Sequence, residues 1–409
     1  MRCFALLAVV LAGCSAEPEL SYQVRQLTFG PAHHFYGYIG HVGNSPYSAD
    51  GRYLIALRTT FQDRMPGPDD VADIVLLDAA HDYAETKVEE TRGWNPQQGA
   101  MLYWNPQMPT TQFFFNDRDP ETGKVFTAVY DLVEGKRVRE YRFEDSPVGN
   151  SGVKQDGGAF AAINYARMAR LRPVTGYPGA WDWTEGVDHP ADDGLFVVDE
   201  ETGEREPIVS FERMRDALVE KYPAIDGKAL FLNHTLWNRE GDRIFFFVRG
   251  DFADRENRIN VPMTVRPDGS ELTEQMFIGG HPEWDFGSKM IGKLEYKLVL
   301  YDALDQRVVE TIGGPEIFPD PGGDTALSSD GDWLVNGATD GSRMFYSVLR
   351  RSDGAYLQTE DFVRSGYERG DLRIDPAPCW NREGDRFAFP ALAKDWTRQL
   401  FEVRVIVDH

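Results

Sequence analysis

The sequence predicts an all-β fold, a single-domain β-propeller of seven blades, on two observations. First, turns of the form x-D-G-x or x-G-D-x recur between short aromatic and β-branched runs, at 47–57, 236–248, 327–336 and 379–390. Glycine supplies the positive φ of a tight hairpin turn, so each of these marks a hairpin. Second, an apolar run that ends in an acidic turn closes successive units, as in DIVLLDAAHD, VYDLVEGKR, LFVVDEETGER and LVLYDALDQR. Such repetition is the sequence signature of a propeller.

The units follow one another along the chain. Their approximate starts are His41, Gly99, Val148, Ala229, His281, Asp324 and Gly366. Hydrophobicity alternates with a period of two almost throughout, except at 210–223, which is predicted as the one helical stretch, inserted between blades. Residues 22–29 are predicted to supply the strand that closes the ring, because an unpaired edge is a liability. Two β-sandwiches are the alternative architecture.

The first residues, MRCFALLAVVLAGCSAEPEL, are typical of a cleaved signal. Arg2 precedes the apolar run 4–12, which is too short to span a bilayer as a permanent helix. Residues 11–14, Leu-Ala-Gly-Cys, resemble a bacterial lipobox, in which Cys14 would be lipidated. An ordinary signal peptide cut near Ala16 is the alternative.

The N-terminal segment sets the expected domains and location. We expect a signal peptide at 1–13, a tether and ring-closing strand at 14–29, and the propeller at 30–409. The lipobox places the chain in the bacterial cell envelope, periplasmic or at the outer membrane, with the lipid anchor as its only membrane contact. Once the signal is removed, Cys379 is the only unmodified cysteine, so neither a disulfide within the chain nor a thiolate zinc site is expected.

The composition limits the possible partners. The chain carries 66 acidic and 43 basic residues, a net charge of −23, so its surface repels nucleic acid and anionic lipid. No nucleic-acid partner is expected, and the chain is expected to be a monomer. An acidic glycan would also be repelled unless a local basic site overrides this field.

Residues ahead of the turn strands are predicted to meet at one mouth of the central channel. The innermost strand of every propeller blade begins there. Reading this position blade by blade gives the range from His34 to Asn44, then Gln97, Gln98, Tyr165, His234, His281 and Asp375. Either His234 or His281 alone would be interpreted as a structural histidine. Their shared position favours a functional role for the pair.

The stretch AHHFYGYIGHVGNSPYSADGR, residues 32–52, is richer in histidine and aromatic residues than its turn requires. Tyr36 and Tyr38 would either fill the gap between the first and last blades or contact a ligand. His34 and His41 are harder to explain structurally, since imidazoles bury poorly without partners.

The stretch NYARMARLRPVTGY, residues 164–177, holds three arginines and no acidic residue. As a strand it would place Tyr165 and Arg167 on one face, with Arg170 and Arg172 sharing a face further on. The segment is either a blade edge protected by cations or a receptor for a carboxylate, whose geometry the guanidinium fork matches.

Several motifs together resemble the propeller polysaccharide lyases, the group of oligogalacturonate, ulvan and rhamnose–glucuronate lyases. They are HHFYGY with SADGRYL, WNPQQGAMLYW, FNDRD, NYARMARLRPVTGY and NHTLWNREGDR. The last blade is similar to the Tol-type propeller repeat. The lyase resemblance implies cleavage of a uronic-acid glycan, an acidic oligo- or polysaccharide, by β-elimination. This chemistry needs a neutralised carboxylate, a base for the adjacent proton and an acid for the leaving oxygen.

The resemblance also implies roles for individual residues. His34 would be the base, with His41 as the alternative, Tyr165 the acid and Arg167 the neutraliser. Substrate contacts would come from Tyr36, Tyr38, Gln98, Arg170, Arg172, Tyr177 and Trp284. In the oligogalacturonate branch, histidines and a glutamine hold a divalent metal, so His234, His281 and Gln98 would bind a manganese, calcium or zinc ion.

The sequence departs from the pattern in the last blade, where the His-Pro-x-Trp of related repeats is replaced by residues 376–380, Pro-Ala-Pro-Cys-Trp. This departure argues against a metal ligand from that blade. Hydrolysis by Asp375 with Glu283 is a lesser alternative. From a different class, the alternative is a non-catalytic, Tol-like propeller that binds a glycan or a protein through the same mouth.

Overall fold

The computed structural model describes residues 20–37, 44–254 and 256–407, and strands dominate it. The first strand is β1 (Leu20–Gln26). The predicted lipidation site, Cys14, and two predicted site residues, Tyr38 and His41, lie outside the described residues.

Four separate four-stranded antiparallel sheets follow β1 in chain order. The first contains β2 (His33–Phe35), β3 (Tyr53–Thr59), β4 (Ala72–Asp78) and β5 (Ala84–Thr91). The second contains β6 (Tyr103–Trp104), β7 (Gln112–Arg118), β8 (Val125–Asp131) and β9 (Lys136–Tyr141). The third contains β10 (Gly149–Val153), β11 (Ala159–Ile163), β12 (Gly194–Asp199) and β13 (Arg205–Ser210). The fourth contains β14 (Leu230–Trp237), β15 (Ile244–Gly250), β16 (Ile259–Val265) and β17 (Thr273–Glu274).

The remaining strands join β1 in one thirteen-stranded sheet. They are β18 (Gly279–Trp284), β19 (Lys289–Leu294), β20 (Lys297–Asp302), β21 (Arg307–Ile312), β22 (Asp324–Leu327), β23 (Trp333–Asp340), β24 (Arg343–Arg350), β25 (Tyr356–Gln358), β26 (Phe362–Val363), β27 (Cys379–Trp380), β28 (Arg386–Leu392) and β29 (Arg398–Val407). A parallel bridge between His281 and Asp324 links β18 to β22, and the short β26 links β24 to β28.

These sheets form an all-β propeller. Each of the four separate sheets is a meander in which consecutive strands pair in chain order. β1 pairs antiparallel with β29, from Leu20 opposite Val407 to Gln26 opposite Phe401, so the N-terminal strand lies beside the C-terminal one. The blade number of seven stays a prediction, because the last sheets merge into one.

Tryptophans at the ends of inner strands tie neighbouring sheets together. The indole Nε1 of Trp104, Trp237, Trp284 and Trp380 donates to the carbonyl oxygen of Pro46, Gly152, Leu236 and Ala326, respectively, at 2.9–3.1 Å. Each acceptor belongs to the preceding sheet or the segment that extends its inner strand. Trp284 was predicted to contact substrate, but its side chain is fully buried in this repeated contact.

Two α-helices interrupt the strands in the described residues. α2 (Phe211–Leu218) lies within the predicted helical stretch and buries Phe211, Met214 and Leu218 along one face. α1 (Tyr165–Leu171) falls where a strand was considered, so the assignment of a single helical stretch is wrong. The Asn164 side chain caps its first turn by accepting from the Arg167 N–H, and YARMARL is rich in helix-forming residues. Within the described residues, no helix is long and apolar enough to cross a membrane.

Candidate functional site

A cavity of about 210 Å³ lies where inner strands from several sheets begin. We call it the mouth cavity. It is lined by Gln97, Gln98, Arg172, Thr175, Asn233, His234, Arg249, Phe252, His281, Arg373 and Asp375. Five of these were selected from the sequence by their position ahead of a turn strand: both glutamines, both histidines and Asp375. The cavity therefore collects side chains from segments distant in sequence.

His234 enters the cavity at an irregularity in β14. The register with β15 shifts between Asn233 and Leu236, and His234 has a φ of 57°, in the left-handed region that a histidine rarely adopts. A bulge re-aims a side chain, and strained backbone of this kind clusters at functional sites. Its ring centroid lies 5.1 Å from that of His281.

The two histidines have opposite electrostatic surroundings. Burial lowers the pKa of His234 well below its ordinary value, and Arg249, His281, Arg172 and Arg373 lower it further. Burial also lowers the pKa of His281, but the charge and hydrogen bond of Asp324 outweigh this and raise it above its ordinary value. These surroundings favour the neutral form of His234 and the protonated form of His281, the arrangement expected of a base and an acid that work together.

Asp324 fixes the His281 ring from the next inner strand. One carboxylate oxygen is hydrogen-bonded to His281 Nδ1, and the other accepts the Ala377 N–H at 2.9 Å. The carboxylate is almost fully buried. This leaves Nε2 of His281 as the nitrogen that can exchange a proton with a ligand.

Arg172 follows the last residue of α1 and carries an unsatisfied donor. Its Nη1 is buried without a hydrogen-bond partner, and none of the ion pairs among the described residues includes it. Burial, followed by the charge of Arg373, lowers the pKa of Arg172 to about 10, so it stays charged at neutral pH. Its guanidinium carbon lies 4.3 Å from the centroid of the Phe252 ring. A guanidinium that keeps a buried donor unpaired among the described residues favours the binding of an anion.

Amide side chains add hydrogen-bonding atoms to the cavity. Gln98 Nε2 donates to Asn233 Oδ1 at 2.9 Å, and Gln98 Oε1 and Asn233 Nδ2 are buried without partners among the described residues. Gln97 Nε2 donates to the carbonyl oxygen of Arg373 at 2.8 Å and so holds that chain segment against the cavity. One free acceptor and one free donor are complementary to sugar hydroxyls.

Three of the predicted catalytic residues, His34, Tyr165 and Arg167, are not among the residues that line this cavity with the histidine pair. His34 pairs through β2 with Arg58, and its side chain is only 2% exposed. Its Nδ1 lies 2.8 Å from Gln399 Oε1 and its Nε2 lies 2.7 Å from Glu85 Oε2. Both ring nitrogens therefore have partners from the first and last sheets.

Tyr165 and Arg167 are buried at the start of α1. The Tyr165 hydroxyl donates to the Asn150 carbonyl oxygen at 3.1 Å, and its ring stacks on Tyr177 at 4.3 Å. The Arg167 guanidinium donates to the carbonyl oxygens of 187, 188 and 230 and to the hydroxyl of Thr184. Because α1 is a helix, the strand alternation that would have aimed these side chains together does not apply.

Some of the other predicted substrate contacts line the cavity, and the rest are held by contacts within the protein. Gln98 and Arg172 line the cavity. The Tyr36 hydroxyl lies 2.7 and 2.6 Å from the carbonyl oxygens of residues 377 and 388, and Tyr177 is fully buried and accepts from Asn116. Arg170 donates to the Asp182 carboxylate at 2.9 Å. Glu283, considered with Asp375 for hydrolysis, is buried, and burial raises its pKa well above its ordinary value.

The lining of the mouth cavity does not fit a divalent cation. Three guanidinium groups share the cavity with His234, His281 and Gln98, the residues predicted as metal ligands. The positive charges that lower the pKa of His234 would repel a manganese, calcium or zinc ion equally. Within the part of the chain that the structure describes, no group of three or more His, Cys, Asp or Glu side chains is placed to hold a metal.

Sequence reasoning missed the residues beside those it selected. Arg249 is the next-to-last residue of the buried strand β15, Phe252 lies in the following loop, and Arg373 stands two residues before Asp375. Arg373 Nε donates to Asp375 at 3.0 Å. Extending the same positional argument by two residues would have found Arg373. Nothing in the sequence indicates that the loop after β15 folds over the channel.

No family model matches this chain. No curated protein matches it.

Solved propellers are similar in architecture. The β-propeller domain of Cps50 (Swd1) from Myceliophteria thermophila has a TM-score of 0.47 at 12% identity, over 90% of this chain and 96% of that one. A putative TolB from Agrobacterium tumefaciens has a TM-score of 0.40 at 12% identity, over 95% and 99%. TolB from Acinetobacter baumannii has a TM-score of 0.35 at 11% identity over 78% of this chain, which spans only 54% of that protein.

Proposed function

We propose that the mouth cavity binds the carboxylate of a uronic-acid residue and cleaves the glycan that carries it by β-elimination. The observation that supports this best is the buried Nη1 of Arg172, which has no partner among the described residues, in a cavity that also holds two adjacent histidines whose pKa values are shifted in opposite directions. In a chain with a net charge of −23, this concentration of positive charge is local and specific. The lyase resemblance proposed the same chemistry, but through other residues.

The arginines prepare the substrate. The proton on the carbon next to a carboxylate is only weakly acidic, because removing it adds negative charge to a group already charged. The Arg172 fork neutralises the bound carboxylate and stabilises the charge that develops on its oxygens. Arg249 and Arg373 add to the positive potential from other sides of the cavity.

The histidines move the protons. His234 takes the proton from the carbon next to the carboxylate, and the electrons of that C–H bond form a carbon–carbon double bond. The C–O bond at the next carbon breaks, and His281 donates its Nε2 proton to the departing oxygen. The 5.1 Å between ring centroids lets both imidazoles contact adjacent carbons of one sugar ring. The products are an unsaturated uronide and a sugar with a new reducing end.

The test is incubation with a panel of acidic glycans while the ultraviolet absorbance of the unsaturated product is followed. We expect an absorbance increase that His234→Ala abolishes. His81→Ala is the matched control, because His81 is exposed, with only Asp78 as its partner. Binding of a uronate without any absorbance change would replace the lyase by a non-catalytic, glycan-binding propeller. Binding of no acidic glycan would remove both.

We also propose that Cys14 carries a lipid that anchors the protein in the bacterial cell envelope. The Leu-Ala-Gly-Cys sequence at 11–14 supports this. Cys14→Ser should move the protein from the membrane fraction to the soluble or unprocessed fraction. Unchanged partition of this variant would contradict the anchor.

A further inference from the structure

A cavity of about 500 Å³ lies between the second and third sheets, and we call it the acidic pocket. Its walls come from β7, β8 and β9, from the turn between β10 and β11, and from residues 199–201 at the end of β12. Arg172 and Thr175, which line the mouth cavity, precede the start of β12. The two cavities therefore lie at opposite ends of this strand, and none of the described residues lines both.

The turn after β12 brings three carboxyl groups to the acidic pocket, those of Asp199, Glu200 and Glu201, against one guanidinium, that of Arg139. Two hydrogen bonds fix this turn to β9. The Tyr141 hydroxyl donates to the Glu200 carbonyl oxygen at 2.8 Å, and Arg139 Nη2 donates to the Glu201 carbonyl oxygen at 2.8 Å. Both contacts use main-chain oxygens, so they position the turn without using its carboxyl side chains as acceptors.

Glu200 is the buried member of the three. It is only 7% exposed, and its Oε1 has no hydrogen-bond partner among the described residues. Burial raises the pKa of this carboxyl to about 7, and the charges of Asp199 and Asp156 add to the rise. The Gly158 N–H and the Arg139 guanidinium oppose it. A buried acceptor without a partner costs free energy that a bound donor recovers, and a positively charged donor recovers most.

The remaining lining of the acidic pocket suits an aliphatic chain. Phe114 and Val129 are buried on β7 and β8, whereas Val138 on β9 is 42% exposed and lies where the pocket meets solvent. Among the residues that the structure describes, no three acidic side chains, these included, are placed together to hold a metal ion. An organic cation fits better, because its charged group meets the Glu200 carboxyl while its carbon chain packs on the apolar wall.

We propose that the acidic pocket binds a primary ammonium group on an aliphatic chain, carried either by a free alkylamine or by a lysine side chain of a protein partner. This site goes beyond the proposed function, because it uses none of the described residues of the mouth cavity. A neutral ligand of the same length leaves the Glu200 carboxyl without a charged donor. Removing the charge from either the ligand or Glu200 should therefore weaken binding about tenfold or more.

The test measures binding to the full chain by ligand-observed NMR titration with two pairs of probes. Pentylamine is compared with pentanol, and Nα-acetyl-lysine amide with Nα-acetyl-norleucine amide, which lacks the ammonium. At pH 8 we expect at least one ammonium probe to bind about tenfold or more tightly than its neutral counterpart. Its affinity should fall about tenfold between pH 8 and pH 6, as Glu200 takes up a proton.

Two variants locate the binding. Glu200→Gln, which keeps the shape of the side chain, should remove both the preference for ammonium and its pH dependence. Val138→Trp keeps the carboxyl but places a large side chain at an exposed wall residue, so it should weaken ammonium binding even if Glu200→Gln does not fold. The matched control is Glu220→Gln, at an exposed position outside the pocket, which should change neither property.

The two probe pairs distinguish the sources of the ammonium group. Tighter binding of pentylamine than of the lysine derivative assigns the acidic pocket to a free amine, and the reverse order assigns it to a protein side chain. Equal binding of the ammonium and neutral probes in both pairs overturns the inference. So does a preference for ammonium that neither Glu200→Gln nor Val138→Trp reduces, because the cation then binds elsewhere on this acidic chain.

Discussion

The two ends of helix α1 hold arginines of opposite character. At its start, Arg167 is 1% exposed, and its guanidinium donates four hydrogen bonds to neighbouring oxygens. Just beyond its end, five residues after Arg167, Arg172 has a buried Nη1 with no partner among the described residues. The Arg167 guanidinium donates its hydrogen bonds to protein oxygens, whereas the Arg172 guanidinium keeps one donor available for a ligand.

The histidines repeat this contrast between a structural region and the mouth cavity. His34 has protein partners for both ring nitrogens, at 2.8 and 2.7 Å. Among the described residues, His281 is hydrogen-bonded to Asp324 through Nδ1 alone, and it lies beside a second histidine in a cavity. The residue types are the same in both regions, so unsatisfied hydrogen-bonding capacity is what separates a candidate site from a structural one.

The largest difference that we expect between Arg167 and Arg172 is in their contribution to stability. Arg167→Ala should lower the free energy of unfolding by about 3–5 kcal/mol, because it leaves buried carbonyl oxygens without donors. Arg172→Ala should change it by less than about 1 kcal/mol, since it removes a desolvated cation that has no ion-pair partner. Urea unfolding of both variants measures the difference. Equal losses would mean that the two guanidinium groups are equally structural.

The second-largest effect is on activity, where we expect Arg172 to matter greatly although it contributes little to stability. Arg172→Gln should lower kcat/KM for elimination by about 10²–10³, the cost of removing one well-placed donor to a developing oxyanion. Arg170→Gln, two residues earlier, is the matched control, because Arg170 is paired with Asp182. Loss of activity in the control alone would move the carboxylate site to the exposed face of α1.

The repeats made the propeller predictable from the sequence, because each hairpin turn is a local signal. Selecting residues by their position ahead of a turn strand also predicted that His234 and His281 lie together, because the register along each inner strand follows from the same repeat. The same selection did not bring His34 to the cavity, because both ring nitrogens of His34 contact side chains of the first and last sheets, Glu85 and Gln399.

The hydrogen-bond partners of buried side chains were not predictable from the sequence. The sequence of 164–177 shows arginines without acidic neighbours, but the acceptors of Arg167 lie at 184, 187, 188 and 230. Such long-range contacts depend on where loops and sheets are placed in three dimensions. Likewise, this segment was considered as a strand but is a helix that begins at the Asn164 cap. The capping residue is visible in the sequence, but the β-pattern of the surrounding sequence outweighed it in the prediction.

A smaller effect concerns pH. Because His234 must be neutral and His281 protonated, kcat/KM should be bell-shaped. It should fall at low pH, where His234 becomes protonated, and at high pH, where His281 loses its proton. Asp324→Asn removes the charge that raises the pKa of His281, so the alkaline limb should move to lower pH while the acid limb stays. An alkaline limb that does not move would show that His281 is not the acid.

The smallest predicted effect tests whether Tyr165 belongs to the structural region. Tyr165→Phe removes a hydroxyl that donates to the Asn150 carbonyl oxygen at 3.1 Å, but keeps the ring stacked on Tyr177. That carbonyl also accepts from Asn116 Nδ2 at 2.8 Å, so it stays satisfied and the free energy of unfolding should fall by only about 0.5–1 kcal/mol. We expect kcat/KM for elimination to be unchanged. If instead the rate fell a hundredfold while stability held, Tyr165 would be the proton donor that the lyase resemblance implies, and the comparison between the two regions would fail.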